Sequence, residues 1–194
     1  MANVDRANGF RPSKSLLGAP WTSLVRSYPA AATGRTQAEA GNIYIGSVVS
    51  LDANGDIVPA VTTGAVLGVV VACGTKNSDT ALNTDNNHRY FDPDNLSKRY
   101  IKYDEDGYVG VVPAEGCLFS VQSSETGKVQ GSTGAFGANT GSTTTGNSAV
   151  VIGAGADVTV VEFDTSPAND MASANARYIV KFNLHANAID ATNA

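Results

Sequence analysis

The chain holds few residues of the kind that do chemistry, and their settings decide what they are for. Nucleophilic catalysis by serine or cysteine needs a base oriented by a third group, and histidine is the usual base. Two histidines occur in 194 residues, His88 in a polar stretch and His185 at the end of a strand-like run, and no serine sits in a G-x-S-x-G elbow. Both are expected to be solvent-facing imidazoles. Carboxylates are more numerous, with Asp52, Asp56, Asp92, Asp94, Asp104, Glu105 and Asp106 closely spaced, and such acids can hold calcium or serve glycoside hydrolysis. Asp52-Ala-Asn-Gly-Asp56 opens like a calcium loop, but its glycine stands fourth rather than sixth, and the twelfth residue is Thr63 instead of a bidentate glutamate. Asp and Asn beside Gly are what tight turns select for backbone reasons. These acids are therefore read as turn residues, with calcium at 92–95 or 104–107 as the alternative. Phosphate-binding patterns are missing too, since the G-x-G begun by Gly153 and Gly155 meets Val158 and no P-loop occurs. No catalytic, metal or cofactor residues are assigned, and the chain is not expected to be an enzyme.

The elements that carry these residues follow a β grammar. NIYIGSVVSL (42–51), the Asn-Gly turn at 52–56 and IVPAV (57–61) read as a hairpin. AVLGVVVAC (65–73) is almost wholly apolar and reads as a strand buried on both sides, with Gly68 marking a bulge or a close backbone approach. KRYIKY (98–103), YVGVV (108–112), CLFSVQSS (117–124), AVVI, VTVVEF and RYIVKFNLH (177–185) continue the rhythm. In the last run, alternation predicts one buried face of Tyr178, Val180, Phe182 and Leu184; in CLFSVQSS, Leu118 or Phe119 begins the inward face. Ser166 and Pro167 suit the start of a short helix over 166–176. The expectation is an all-β body (41–194), a compact barrel or sandwich of about eight short strands, with long surface loops at 74–97 and 129–147. Cys73 and Cys117 each lie inside an apolar run, which favours two buried free thiols over a disulfide.

Residues 1–40 differ. They show no sustained period, and Gly9, Pro12, Gly18, Pro20, Pro29 and Gly34 interrupt both helix and strand. They read as an extended N-terminal arm, yet Phe10, Leu16, Leu17, Trp21, Leu24, Val25 and Tyr28 are too apolar for a disordered tail. Such an arm needs a surface, its own domain or a neighbouring chain. Charge separates it as well. Residues 1–36 carry Arg6, Arg11, Lys14, Arg26 and Arg35 against Asp5, a net of +4, which leaves 8 basic and 17 acidic groups, a net of −9, for the rest of a chain whose total is −5. That balance argues against nucleic-acid binding. The charged first residues do not resemble a signal peptide, and the longest apolar run, at nine residues, is well short of the roughly 20 that a membrane helix requires. The arm's candidate partner-binding residues are Arg11, Lys14 and Arg26 with Phe10, Trp21 and Tyr28 as apolar anchors, and an arm of this kind should be removable without unfolding the body.

Several blocks together resemble the capsid cement, or decoration, proteins of tailed bacteriophages: NGFRP (8–12), IYIGSVVSLDANGDIVPAV followed by AVLGVVV, RYIKYDEDG, and the closing IVKFNLH. The resemblance implies a β-rich virion protein that binds the outer surface of an icosahedral capsid. It implies a homotrimer that clamps neighbouring major capsid subunits; that no nucleic-acid or membrane partner is expected comes from the charge and the apolar run length. The alternative from the residues is a receptor- or glycan-binding β domain of a tail fibre or spike, using the two long loops and the stacking rings of Tyr90 and Phe91.

Overall fold

Valine, isoleucine and tyrosine fill the runs between turns, and branched and aromatic side chains suit a pleated, half-buried surface. In the computed structural model, which describes residues 3, 9–32, 35, 41–60, 65–75, 90–92, 95–123, 125–136, 150–153, 155–167 and 169–183, these runs form an all-β fold. The strands are β1 (Arg11–Ser15), β2 (Arg26–Ala30), β3 (Ile43–Tyr44), β4 (Val48–Leu51), β5 (Ile57–Pro59), β6 (Gly68–Thr75) and β7 (Tyr90–Asp92), then β8 (Asn95–Ile101), β9 (Gly107–Pro113), β10 (Cys117–Gln122), β11 (Thr133–Phe136), β12 (Val150–Ile152), β13 (Val158–Phe163) and β14 (Arg177–Phe182). They make three antiparallel sheets, ordered β1-β10-β14-β13-β11-β12, β2-β9-β6-β4-β5 and β3-β8-β7.

The middle of the five-stranded sheet, where β4, β6 and β9 meet, is buried on both faces. Val48, Val69 and Val112 face the six-stranded sheet, sharing a core with Phe119, Val121, Val158, Val160, Tyr178, Val180 and Phe182. Val49, Val70, Val109 and Val111 face the other way, onto Ile43 and Ile101 of the three-stranded sheet. Adjacent valines in β6 thus serve opposite cores, as expected from its continuous apolar run. Gly68 is the close approach: a Cβ there would lie 2.1 Å from the Val112 carbonyl oxygen. The bulge comes later, at Val71, where the register against β9 shifts between Val70 and Ala72. The edge strands β2 and β5 approach each other without pairing, so the sheet curls without closing into a barrel.

In β14 the inward face is Tyr178, Val180 and Phe182, as the alternation predicts, while Leu184 lies outside the described residues. The inward face of β10 is Cys117, Phe119 and Val121, so of the two expected starting points Phe119 lies on it and Leu118 does not. Leu118 is nevertheless buried on the outer face, beside Ile179. Lys14 stands opposite Leu118 and Glu162 opposite Ile179, so the ion pair between Lys14 and Glu162 lies across this apolar strip.

Several expectations are corrected. The loop at 74–97 contains the end of β6, all of β7 and the start of β8, and the loop at 129–147 contains a turn at 129–132 and β11; stretches 76–89, 93–94 and 137–147 lie outside the described residues. NIYIGSVVSL is two strands, parted by a turn at Ile45-Gly46. Where the sequence predicts a helix over 166–176, the described residues form turns. The Asn169 amide donates to the Asp164 and Arg177 carbonyls and accepts from the Arg177 N–H, while Asp170 takes the Ala172 N–H and the Ser173 hydroxyl. Asn and Asp side chains here outcompete the helical ladder for backbone partners.

The largest departure concerns the arm. Arg11–Ser15 pairs with β10, and Arg26–Ala30 pairs with β9, so the segment supplies an edge strand to each of two sheets. Pro12 and Pro29, which suggested interruption, are tolerated because an edge strand needs donors on one side only. Phe10 is 1% exposed, its ring 5.1 Å from that of Phe182, which also meets Phe119 and Phe136. Gly9 (φ +71°) crosses the Gly46 turn so closely that a Cβ would lie 2.5 Å from the Gly46 oxygen, and the Phe10 N–H donates to that oxygen at 2.9 Å.

Removal of residues 1–36 is therefore expected to unfold the body, reversing the sequence-based expectation. Phe10→Ala should cost about 3–5 kcal/mol, as for other large-to-small core changes, and Gly9→Ala should lower the melting temperature through strain and overlap. Calorimetry of the three proteins checks this; an unchanged transition in the truncated chain would contradict the pairing.

Candidate functional site

The N-terminal segment's polar and apolar groups sort into internal and external sets. Phe10 is a core residue and is not available to a partner. Trp21, in a single 3₁₀ turn (Trp21–Leu24), is partly buried against the first core with Leu24, and Tyr28 is partly buried against the second. Lys14 Nζ sits 2.5 Å from Glu162 Oε2, with the two side chains 56% and 42% exposed; a surface pair of this kind is worth about 0–1 kcal/mol. Arg11 and Arg26 are exposed.

Arg35, one of the five basic groups behind the segment's charge, is internal at 4% exposure. Its guanidinium donates to the carbonyls of Ala31 (3.2 Å), Gly41 (3.4 Å), Lys102 (2.7 Å), Ala30 (3.3 Å) and Glu105. Five N–H groups in a planar fork are thereby satisfied by five carbonyl oxygens. Burial pulls its pKa down from the usual arginine range, and Asp106, Asp104 and Asp56 act in the opposite direction. The acidic turns thus have a structural use, as counter-charge to a buried cation that ties the end of β2 to the turn before β9. The turn reading of 52–56 is borne out. Asp52 Oδ1 accepts from the Asn54 and Asp56 N–H groups at 2.8 and 2.9 Å, and Gly55 has φ +85°. Asp106 Oδ1 accepts the Ala32 N–H at 2.9 Å.

What the segment shows to solvent is the connection between its strands. Leu16 and Leu17 are 64% and 68% exposed, and Gly18, Ala19 and Pro20 continue the exposed, uncharged tip toward Val25 at 38%. The tip is held firmly. The Leu16 N–H donates to the Gly116 oxygen at 2.7 Å, the Leu17 N–H to Ser15 Oγ at 3.1 Å, and Ser23 returns two hydrogen bonds to the Pro20 carbonyl. The tip between Arg11 and Arg26 is apolar, exposed and already ordered, and a group ordered beforehand costs less to fix in any contact. Sequence reasoning chose the aromatics as anchors and passed over Leu16 and Leu17. The available signal was their adjacency followed by Gly-Ala-Pro: no strand or helix face buries two neighbours at once when the next residues turn the chain away.

The side chains of the expected stacking rings, Tyr90 and Phe91, are outside the described ones. His88 and His185 lie outside the described residues, as do Asp94 and the side chain of Asp92. Among the described residues no group of three or more His, Cys, Asp or Glu is placed to hold a metal ion. Cys73 and Cys117 are buried and form no disulfide, and burial pushes the Cys117 thiol pKa up, away from the reactive thiolate. No protein-family model, curated protein or solved structure matches the chain.

Two outcomes follow. Arg35→Ala, which strands five carbonyl oxygens, should destabilise by on the order of 3–5 kcal/mol, with Arg35→Lys recovering part of the loss through its three donors; equal stability in denaturant titration would contradict the carbonyl cage. Both cysteines should resist a thiol reagent in the native protein and react after denaturation, and fast native labelling would contradict their burial.

Proposed function

We propose that the chain is a capsid cement protein of a tailed bacteriophage. It binds the outer surface of the icosahedral shell, associates as a homotrimer and clamps neighbouring major capsid subunits without catalysis. The observation that carries this reading is the exposed Leu16–Leu17 tip between Arg11 and Arg26, on a chain whose remaining 158 residues have a net charge of −9. The tip supplies apolar contact, and the arginines steer it toward an acidic shell surface. Two of the blocks behind the family resemblance, NGFRP and IYIGSVVSL, meet physically where Gly9 crosses Gly46. That contact gives the spaced resemblance one structural reason. A clamp requires a stiff body with a firmly attached contact surface, which the paired strands β1 and β2 supply. Repetition over a lattice then multiplies a modest single contact.

A second reading, a glycan-binding β domain of a tail fibre or spike, is favoured by the register of the three-stranded sheet. Tyr44 pairs with Tyr100, and Tyr100 with Tyr90, with the Tyr44 and Tyr100 rings stacked at 4.9 Å. Tyr44 is buried and Tyr100 is partly exposed, so Tyr100 is the ring of this pair that offers a face to a sugar.

Electron micrographs of shells with and without the protein should show added density at regular lattice positions. Burying each leucine is worth about 1.5–3 kcal/mol, so Leu16→Asp with Leu17→Asp should weaken shell binding about a hundredfold or more, with an unchanged melting temperature. Added salt should slow association of the native protein. Full binding by the double variant removes the tip from the contact; absence of lattice density together with a glycan-array signal lost in Tyr100→Ala favours the second reading.

A further inference from the structure

The sequence contains two Asn-Gly dipeptides, Asn8-Gly9 and Asn54-Gly55, and the structure gives their glycines opposite surroundings. We infer that Asn54 is a site of spontaneous covalent modification, a succinimide-forming hairpin tip, and that Asn8-Gly9 is protected in the folded protein.

The reaction belongs to the backbone itself. The Gly55 nitrogen attacks the Asn54 side-chain carbonyl carbon, forming a five-membered ring. The bond from that carbon to the amide nitrogen breaks, and the nitrogen leaves as ammonia with the proton released by the Gly55 N–H. Water then opens the ring. Opening at the side-chain carbonyl leaves aspartate, and opening at the main-chain carbonyl leaves isoaspartate, with the chain rerouted through Cβ. Nothing is oxidised or reduced, and water is the one co-reactant.

The step needs an exposed amide, an unhindered nitrogen and a backbone able to rotate. Asn54 and Gly55 are both exposed, and nothing lies within 4 Å of where a Gly55 Cβ would stand. The Gly55 N–H is held by a hydrogen bond to the Asp52 oxygen at 3.1 Å, and Asp52 Oδ1 holds the N–H groups of Asn54 and Asp56 on either side, so the restraints described on the nucleophile come from this short turn and not from the core. Gly9 is different, because the Gly46 backbone fills the space beside it, with three atoms within 2.9 Å of a built Cβ. Its neighbour Phe10 is locked in the core by a ring contact and a backbone hydrogen bond. Rotation at Gly9 would have to drag that plug with it. The product at 54 has consequences of its own. It adds a negative charge between Asp52 and Asp56, and the isoaspartate form lengthens a tip whose Asp52 N–H to Asp56 oxygen bond, at 2.9 Å, sets the pairing of Leu51 with the buried Ile57.

The full-length protein is aged in mildly alkaline buffer at body temperature, with ion-exchange separation, peptide mapping and enzymatic isoaspartate labelling at intervals. An acidic species should accumulate whose isoaspartate maps to 54–55, while 8–9 stays unmodified until denaturant is added, when both react. Asn54→Gln should remove the species. Gly55→Ala should also slow it, but its φ of +85° risks misfolding, so Asn54→Gln is the deciding variant. The isolated isoaspartate form should melt below Asn54→Asp, which carries the same charge without the longer backbone. Equal native rates at the two dipeptides, no reaction at 54–55, or an acidic species that persists in Asn54→Gln would overturn the inference.

Discussion

The architecture rests on the stretch of the β6–β9 ladder before the bulge, Val69 and Val70 against Val112 and Val111, which is buried on both faces, whereas Ala72 beyond the bulge is exposed. Seven registered pairs run from Gly68 opposite Pro113 to Thr75 opposite Gly107. The side chains alternate between two cores, so each face must be covered by a separate layer. The six-stranded sheet answers one face and the three-stranded sheet the other. Removing water from both sides of one ladder leaves no tolerance for a one-residue slip, which would exchange the two cores. The bulge at Val71 is the single place where that alternation is broken, and Val71 still packs on the first core.

Much of this was legible in the residues. The unbroken apolar run 65–73, the Asn-Gly hairpin and the strict alternation of 177–182 each carry a short-range signal that matches their place in the fold. The strands of the N-terminal segment were not legible, because their partners are distant in sequence. Arg11 pairs with Ser120 and Arg26 with Val111. Prolines at 12 and 29 read locally as breakers, and only the knowledge that these are edge strands makes them ordinary. Arg35 misled for a similar reason. Counted as a charge, it enlarges the basic arm; placed in the fold, it is a cross-link made of hydrogen bonds, with the acidic turns as its counter-charge.

The candidate contact surface was legible in kind and misread in detail. An apolar, basic N-terminal segment on an acidic body is visible from composition. Which apolar groups stay outside depends on packing that composition does not encode. The ring of Phe10 packs on Phe182, which in turn meets Phe119 and Phe136, whereas Leu16 and Leu17 fall on a turn and stay mostly exposed. A large ring is a good anchor for a partner and equally a good plug for a core, and neighbouring phenylalanines decide between these uses.

The position of β14 bears on how the chain acquires its structure as it is made. This strand lies between β10 and β13 in the six-stranded sheet, so neither neighbour can complete its pairing before residue 182 leaves the ribosome. The N-terminal strand must likewise wait for β10, more than a hundred residues behind it. Folding is then governed by non-local closure, which is slow relative to local pairing. During synthesis the valine-rich ladder and the open edge of β10 are exposed to other nascent chains. The prolines of β1, β2 and β5 blunt three of the edges on which such chains could add.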